Sequence, residues 1–411
     1  MSSESSELKA GSQALPQGFK WGAVKAGIKA SGKLDVAVAV PDNAANAAAM
    51  FTKNQVVAAP VTVGQRHLLS TGGRVGAVLV NAGNANCATG QVGIDACLQT
   101  CVAAAEIFHC IFDEVFPSST GIIGVPFPGE KIIASIPAAK ASLGNTPAHA
   151  ELFAQAIMTT DTRMKVARAI IDVDGTEVRI FGAAKGAGMI HPQLGPPHAT
   201  MLVYLFTDLV AESEELRILL APAVERSFNC ISIDGDTSTN DTVLLLASGA
   251  SGIKLTERVS EAFTNALNLV CRSLAHQIVD DGEGVTHVVI LHVTGARTEA
   301  EAKQIAKTIA HSPLCKTAWS SADPNWGRLL AAAGYSGVEF DPSMATISIG
   351  SQPVFELGMR SSAFDEVAAH AVMSEREYTI TLDFGLGKAE CHFTTCDLTE
   401  EYVRINADYS T

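Results

Sequence analysis

The sequence predicts a layered α/β (α+β) protein, with helices packed on sheets. Three observations predict it. Short, strongly apolar runs at residues 201–207 and 242–247, each with a single threonine at one end, read as buried strands. Longer segments between such runs, as at 93–109 and 259–279, carry apolar residues at helical spacing. The 411 residues are 47% hydrophobic and 18% charged, which suits more than one well-buried core.

Taken in order, residues 75–80 form a valine-rich strand ending at the turn-rich loop Asn81-Ala82-Gly83-Asn84-Ala85-Asn86. Residues 93–109 read as a helix with an Ala/Cys/Val face. Strands at 166–172 and 177–181 flank the turn Asp172-Val173-Asp174-Gly175. After the 201–207 strand, 213–230 is helical in pattern. Ser213 would cap its start, and Glu214 and Glu215 fall in the first turn, where carboxylates favour the helix dipole. Pro222 should split this stretch into two helices. Residues 286–293 read as a strand and 299–311 as a helix. The C-terminal part reads as strands at 345–349, 378–384, 389–394 and 402–406. Gly385-Leu386-Gly387-Lys388 would turn the middle pair as a hairpin. The loop at 191–198, with Gly195-Pro196-Pro197, is the best boundary, separating 15–199 from 200–411. Residues 1–14, rich in Ser and Glu without an apolar core, read as a disordered tail and not a signal peptide.

Composition removes several function classes. The net charge of -14 argues against a nucleic-acid partner. The nine cysteines contain no C-x-x-C pair and the eleven histidines no H-x-x-x-H pair, so no metal is expected and a reducing, cytoplasmic compartment fits. No run reaches the ~18 apolar residues of a membrane span.

Chemistry concentrates in Lys185-Gly186-Ala187-Gly188-Met189-Ile190-His191-Pro192 and the following Ala199-Thr200-Met201-Leu202. A threonine hydroxyl is a poor nucleophile without an adjacent base. Cutting the chain before Thr200 would create one, because the new α-amine belongs to the same residue. A nucleophile also needs donors aimed at the developing oxyanion. Ser118-Ser119-Thr120-Gly121-Ile122-Ile123-Gly124 is a candidate, although the pattern alone more often marks a turn entering an element. Met158-Thr159-Thr160-Asp161-Thr162 reads as a polar ligand site or as a capped helix end. The polar run 234–242 reads as a ligand loop, and without an EF-hand glutamate it is not a calcium loop. Asp280-Asp281-Gly282-Glu283-Gly284 could hold an ammonium, with a solvated loop as the plainer reading. Ala322-Asp323-Pro324-Asn325-Trp326-Gly327-Arg328 looks like a helix start with proline in its first turn, and the C-terminal tail reads as passive. There is no G-x-S-x-G elbow and no G-x-G-x-x-G after a strand.

Together these motifs, with Ala26-Gly27-Ile28-Lys29 and Ile405-Asn406-Ala407-Asp408-Tyr409, resemble the ornithine acetyltransferase (ArgJ) family from about Gly18 to Thr411. The resemblance implies an ArgJ/DmpA-like layered fold that cuts itself between Ala199 and Thr200. The resulting α chain (15–199) and β chain (200–411) stay together, as an α2β2 heterotetramer. It makes Thr200 the nucleophile and Thr120 and Gly121 the oxyanion hole. It places Thr159, Lys185, Thr200, Glu283, Asn406 and Thr411 around the substrate. The implied reaction moves acetyl from N-acetylornithine to glutamate in arginine biosynthesis, through an acetyl-threonine, without metal or redox cofactor. Acetyl-CoA is a candidate second donor, for which no motif is recognisable. An N-terminal-threonine amidohydrolase or aminopeptidase, with water as acceptor, is the alternative, and a structural protein that never cleaves is the third reading. One departure stands out: six residues, Gln193 to His198, separate Pro192 from Ala199, where family members carry a shorter link.

Overall fold

The computed structural model describes residues 14–193 and 201–408. Ala199, Thr200 and Thr411 therefore lie outside the described residues.

The centre of the molecule is a pair of sheets stacked face to face. The first runs Phe19–Val24, Val36–Pro41, Ala77–Asn84, Val115–Ile122. The second runs Arg74–Val75, Ala45–Phe51, Thr242–Ala247, Leu202–Thr207, Thr176–Lys185, Lys165–Val173. Strand alternation explains the stacking, because successive side chains point to opposite faces. Leu202, Tyr204 and Phe206 enter a core shared with Phe19, Trp21, Val78 and Val80 of the first sheet. Val203 and Leu205 enter the opposite core, against Phe263, Leu267 and Leu274 of the helix Glu257–Asp280. The outer face of the first sheet is likewise covered: Val36, Val38 and Leu79 meet Cys97, Cys101 and Ile136 of the helices Gly90–Phe108 and Gly129–Ala141. The result is helix, sheet, sheet, helix. Strands buried on both faces are nearly continuous apolar runs, and that is why 201–207 and 242–247 stand out in the sequence.

A third sheet lies alongside, ordered Met359–Arg360, Gln352–Glu356, Thr346–Ile349, Glu377–Asp383, Val288–Ala296, Ala389–Cys396. Helices Glu299–Ala310, Pro313–Ser320 and Trp326–Gly334 pack against it.

Several sequence expectations change. Glu377–Asp383 and Ala389–Cys396 are not a hairpin: Val288–Ala296 lies between them, parallel to one and antiparallel to the other. Residues 402–406 are not a strand but belong to the helix Glu400–Asp408, whose Tyr402 N–H donates to Thr399 Oγ1 at 3.3 Å. Pro222 does not split its helix, which runs unbroken over Ser213–Glu225. Ser213 is not the cap. It is the first helical residue, and its hydroxyl donates to Gly73 O. Pro324 precedes the helix Trp326–Gly334 and lies outside its first turn. Asp174 and Gly175 do make the expected hairpin turn, both at positive φ, between paired Val173 and Thr176. On the two sides of residues 191–198, the strands Thr176–Lys185 and Leu202–Thr207 are direct neighbours in one sheet.

Candidate active site

Lys185 and Leu202 face each other across antiparallel strands, and Leu202 faces Thr242 across parallel ones. The Thr242 N–H donates to Met201 O. The strand end at Met201 is thus held from both sides, and a cavity of about 330 Å³ opens there. Thr120, Gly121, Thr159, Lys185, Glu283 and Asn406 all line it. Six positions scattered over nearly three hundred residues of sequence therefore converge on one pocket. Met201, next in the chain to Thr200, lines it as well.

Thr120 and Gly121 sit near the end of the Val115–Ile122 strand, with Gly121 paired to Gly83. Gly121 adopts φ +132°, and a Cβ there would fall 2.3 Å from the carbonyl carbon of Gly83. Only glycine fits so close an approach. The neighbouring asparagines hold this turn. Asn81 donates to Asn84 O at 2.8 Å and accepts from Ser119 Oγ at 2.6 Å. Asn240 donates to both Ala85 O (2.6 Å) and Ser119 O (2.9 Å), tying the turn to the second sheet. Lys185 Nζ donates to Thr120 Oγ1 at 3.1 Å. Burial drives the Lys185 ammonium below the usual lysine range, while Asp161 pulls the other way.

The glycine-rich run after Lys185 is pinned to acids on both sides. Gly186 N–H donates to Asp161 Oδ1 at 2.7 Å. Met189 and Ile190 N–H groups donate to the Asp234 carboxylate at 2.7 and 2.9 Å. At Gly188, a Cβ would strike the Glu283 carboxyl at 2.5 Å, so glycine leaves the space that Glu283 occupies. Glu283 in turn accepts from Asn406 Nδ2 at 2.9 Å, and Tyr402 donates to Asp234 at 3.3 Å. These two contacts seat the C-terminal helix at the cavity mouth, so the passive reading of the tail does not hold for its described part.

The acidic loop divides its labour. Asp281 is bonded to Lys165 Nζ (2.5 Å) and to Thr162, and Asp280 pairs with Arg163 and Arg376. Only Glu283 of the three reaches the cavity. Asp161 is likewise structural: burial alone would raise its carboxyl, but Lys165, Lys185 and the Gly186 N–H hold it down at about 2. Sequence reasoning singled out 234–242 as a ligand loop without choosing residues; Asp234, Asn240 and Asp241 line the cavity, as does Tyr402, which the sequence did not flag. Among the described residues no group of His, Cys, Asp and Glu could hold a metal ion, and no helix is long and apolar enough to cross a membrane.

The arrangement suits acyl transfer: backbone and hydroxyl donors at a glycine turn, a lysine beside them, and carboxylates and amides farther round the wall. Residues 20–411 match the model of the ArgJ family. The arginine biosynthesis bifunctional protein ArgJ of Thermus thermophilus is 45% identical over 97% of this chain and 99% of its own. Its namesake from Dehalococcoides mccartyi is 41% identical over 98% of each. A crystal structure of ornithine acetyltransferase from Mycobacterium tuberculosis with ornithine is 35% identical, covering 46% of this chain and all of the solved one, at TM-score 0.42. By its sequence over nearly its whole length, the chain belongs to the ArgJ family.

Proposed function

We propose that this chain is the acetyltransferase that moves the acetyl group of N-acetylornithine to glutamate in arginine biosynthesis. The single observation that carries the reading is the convergence of Thr120, Gly121, Thr159, Lys185, Glu283 and Asn406 on one cavity at the strand end Met201. Thr200 precedes Met201 in the chain and is the nucleophile. Its hydroxyl attacks the Ala199 carbonyl, the acyl group shifts from nitrogen to oxygen, and water hydrolyses the ester. The chain is then cut into an α chain and a β chain, whose new α-amine acts as the base. In each turnover Thr200 takes the acetyl group with release of ornithine and passes it to glutamate. Thr120 and Gly121 stabilise the oxyanion; Lys185 holds a substrate carboxylate, Glu283 a substrate ammonium, and Thr159, Asn406 and Thr411 complete the substrate shell. No cofactor is required, acetyl-CoA is a candidate second donor, and the working form is an α2β2 assembly in a reducing, cytoplasmic compartment.

Two assays test this. Thr200→Ala should run as a single band of precursor size on a denaturing gel; two bands, or residual acetyl transfer, would sink the assignment. The wild-type protein, given N-acetylornithine and glutamate, should yield acetylglutamate and ornithine in equal amounts. Ornithine released with free acetate in place of acetylglutamate would favour the amidohydrolase alternative. Acetylglutamate formed from acetyl-CoA alone would add the second activity.

A further inference from the structure

Asp241 stands one residue before the Thr242–Ala247 strand, in the wall of the cavity. The residue is 2% exposed; the Ser238 hydroxyl donates to its carboxyl, but among the described residues its Oδ2 has no hydrogen-bond partner. The neighbouring acids differ: Asp234 accepts from Met189, Ile190 and Tyr402, Glu283 from Asn406, and Asp161 from Lys165 and Gly186. An unsatisfied buried acceptor typically costs about 1–3 kcal/mol, so one that persists calls for a reason. The backbone holds Asp241 firmly. Its carbonyl accepts from Thr52 N–H at 3.2 Å, and the next residue donates to Met201 O. The carboxyl therefore sits where the central strands open into the cavity. The Lys185 ammonium, bonded to Thr120, lies within electrostatic reach.

We propose that Asp241 is a further catalytic residue, whose carboxyl gives a proton to the amine nitrogen that leaves the acyl group and takes one from the amine nitrogen that arrives. The inference rests on the acyl-transfer reading above. In the first half-reaction the amide C–N bond breaks and an ester C–O bond forms at the nucleophile. The hydroxyl proton passes to the nucleophile's own base. The Asp241 proton goes to the departing nitrogen and leaves a carboxylate facing Lys185. In the second half the incoming amine attacks the ester and gives its proton to Asp241, and the base returns its proton to the released oxygen. Nothing is consumed beyond the two substrates. Burial pushes the Asp241 carboxyl well above the usual carboxylate range while Lys185 pulls it down, so the group can serve in both forms.

The experiment compares two acyl donors on the two-chain Asp241→Asn protein, which keeps the side chain's shape but cannot exchange the proton. N-acetylornithine has a leaving amine that must be protonated; p-nitrophenyl acetate has a phenolate that leaves without a proton. With N-acetylornithine, kcat should fall about 100-fold or more with KM little changed, while p-nitrophenol release stays near the wild-type rate. A parallel loss with both donors, a loss carried by KM, or a folded variant that stays uncut overturns the proposal. A wild-type protein that reacts with the ester but never with N-acetylornithine counts instead against the acyl-transfer reading itself.

Discussion

At the scale of single residues, the cavity is built by exclusion as much as by contact. Gly121 occupies a backbone conformation and a space that no Cβ tolerates. Gly121→Ala should therefore displace the Thr120 donors and abolish turnover, with the melting temperature lowered as Gly83 is pushed away. Thr120→Ala removes the hydroxyl that Lys185 bonds, together with a methyl group, and leaves the backbone free to keep its course. Its kcat should drop by about 10²–10³, the usual effect of losing one oxyanion donor, without loss of fold. Steady-state kinetics beside a thermal melt separate the two. Asp161 carries a pH signature. Its folded-state carboxyl is held near 2 against an ordinary 3.8, so the folded state binds its proton less tightly than the unfolded chain. That contribution is fully present above the ordinary value and is lost as pH falls toward 2. Asp161→Asn should lower stability at pH 7, by about 3 kcal/mol for a broken buried pair, and flatten the acid limb of the stability curve. A urea titration at several pH values reads both.

At the scale of elements, strands buried on both faces were readable, and a strand partner was readable across the Asp174-Gly175 turn but not in the third sheet. The run Thr242–Ala247 has the bounds its composition announces, because a strand between two cores has no polar face to blur it. The hairpin expected at Gly385 to Lys388 failed because turn residues report a reversal of direction and not the neighbour across the gap; Val288–Ala296 fills that gap from ninety residues upstream. The tail was misread because Tyr402, Val403 and Ile405 suggest a strand. The stronger signal lay just before them: Thr399 followed by Glu400 and Glu401 is a helix start, and Thr399 Oγ1 does accept from Tyr402 N–H. For the site, glycine and lysine motifs pointed to residues that line one cavity, since backbone approach leaves a mark in composition. The unpartnered oxygen of Asp241 left none, because it depends on which groups the fold brings beside it. The C-terminal helix has no buried residue and is seated through Tyr402 and Asn406. Tyr402→Phe combined with Asn406→Ala should raise amide hydrogen exchange across Glu400–Asp408 and raise KM, leaving exchange in Thr242–Ala247 unchanged. Unaltered exchange in the helix would show that other contacts hold it.

At the scale of the whole molecule, the second sheet takes strands from both sides of the proposed cut. Thr176–Lys185 pairs with Leu202–Thr207 over six residue pairs, and Thr242–Ala247 pairs with Ala45–Phe51 on its other edge. A cut between 199 and 200 therefore severs a connection but no sheet pairing between described strands. The two chains should co-elute through gel filtration and part only in denaturant. A β chain expressed without its partner, lacking Phe19, Trp21 and Val78 to cover Tyr204 and Phe206, should be insoluble or bind hydrophobic dyes. Soluble, monomeric β chain with a cooperative melt would contradict this.

The alternation of Leu202, Val203, Tyr204 and Leu205 between two cores bears on which changes in length the gene can tolerate. One residue inserted after Met201 would turn every following side chain to the wrong face, and both cores would lose their partners together. Ahead of the proposed bond, six residues, Gln193 to His198, separate Pro192 from Ala199, a longer link than the resemblance to the family implies. Insertions and deletions should accumulate on one side of that bond and be purged on the other. The location of the chemistry is then an address written in packing, and evolution can lengthen the road to it but cannot renumber the house.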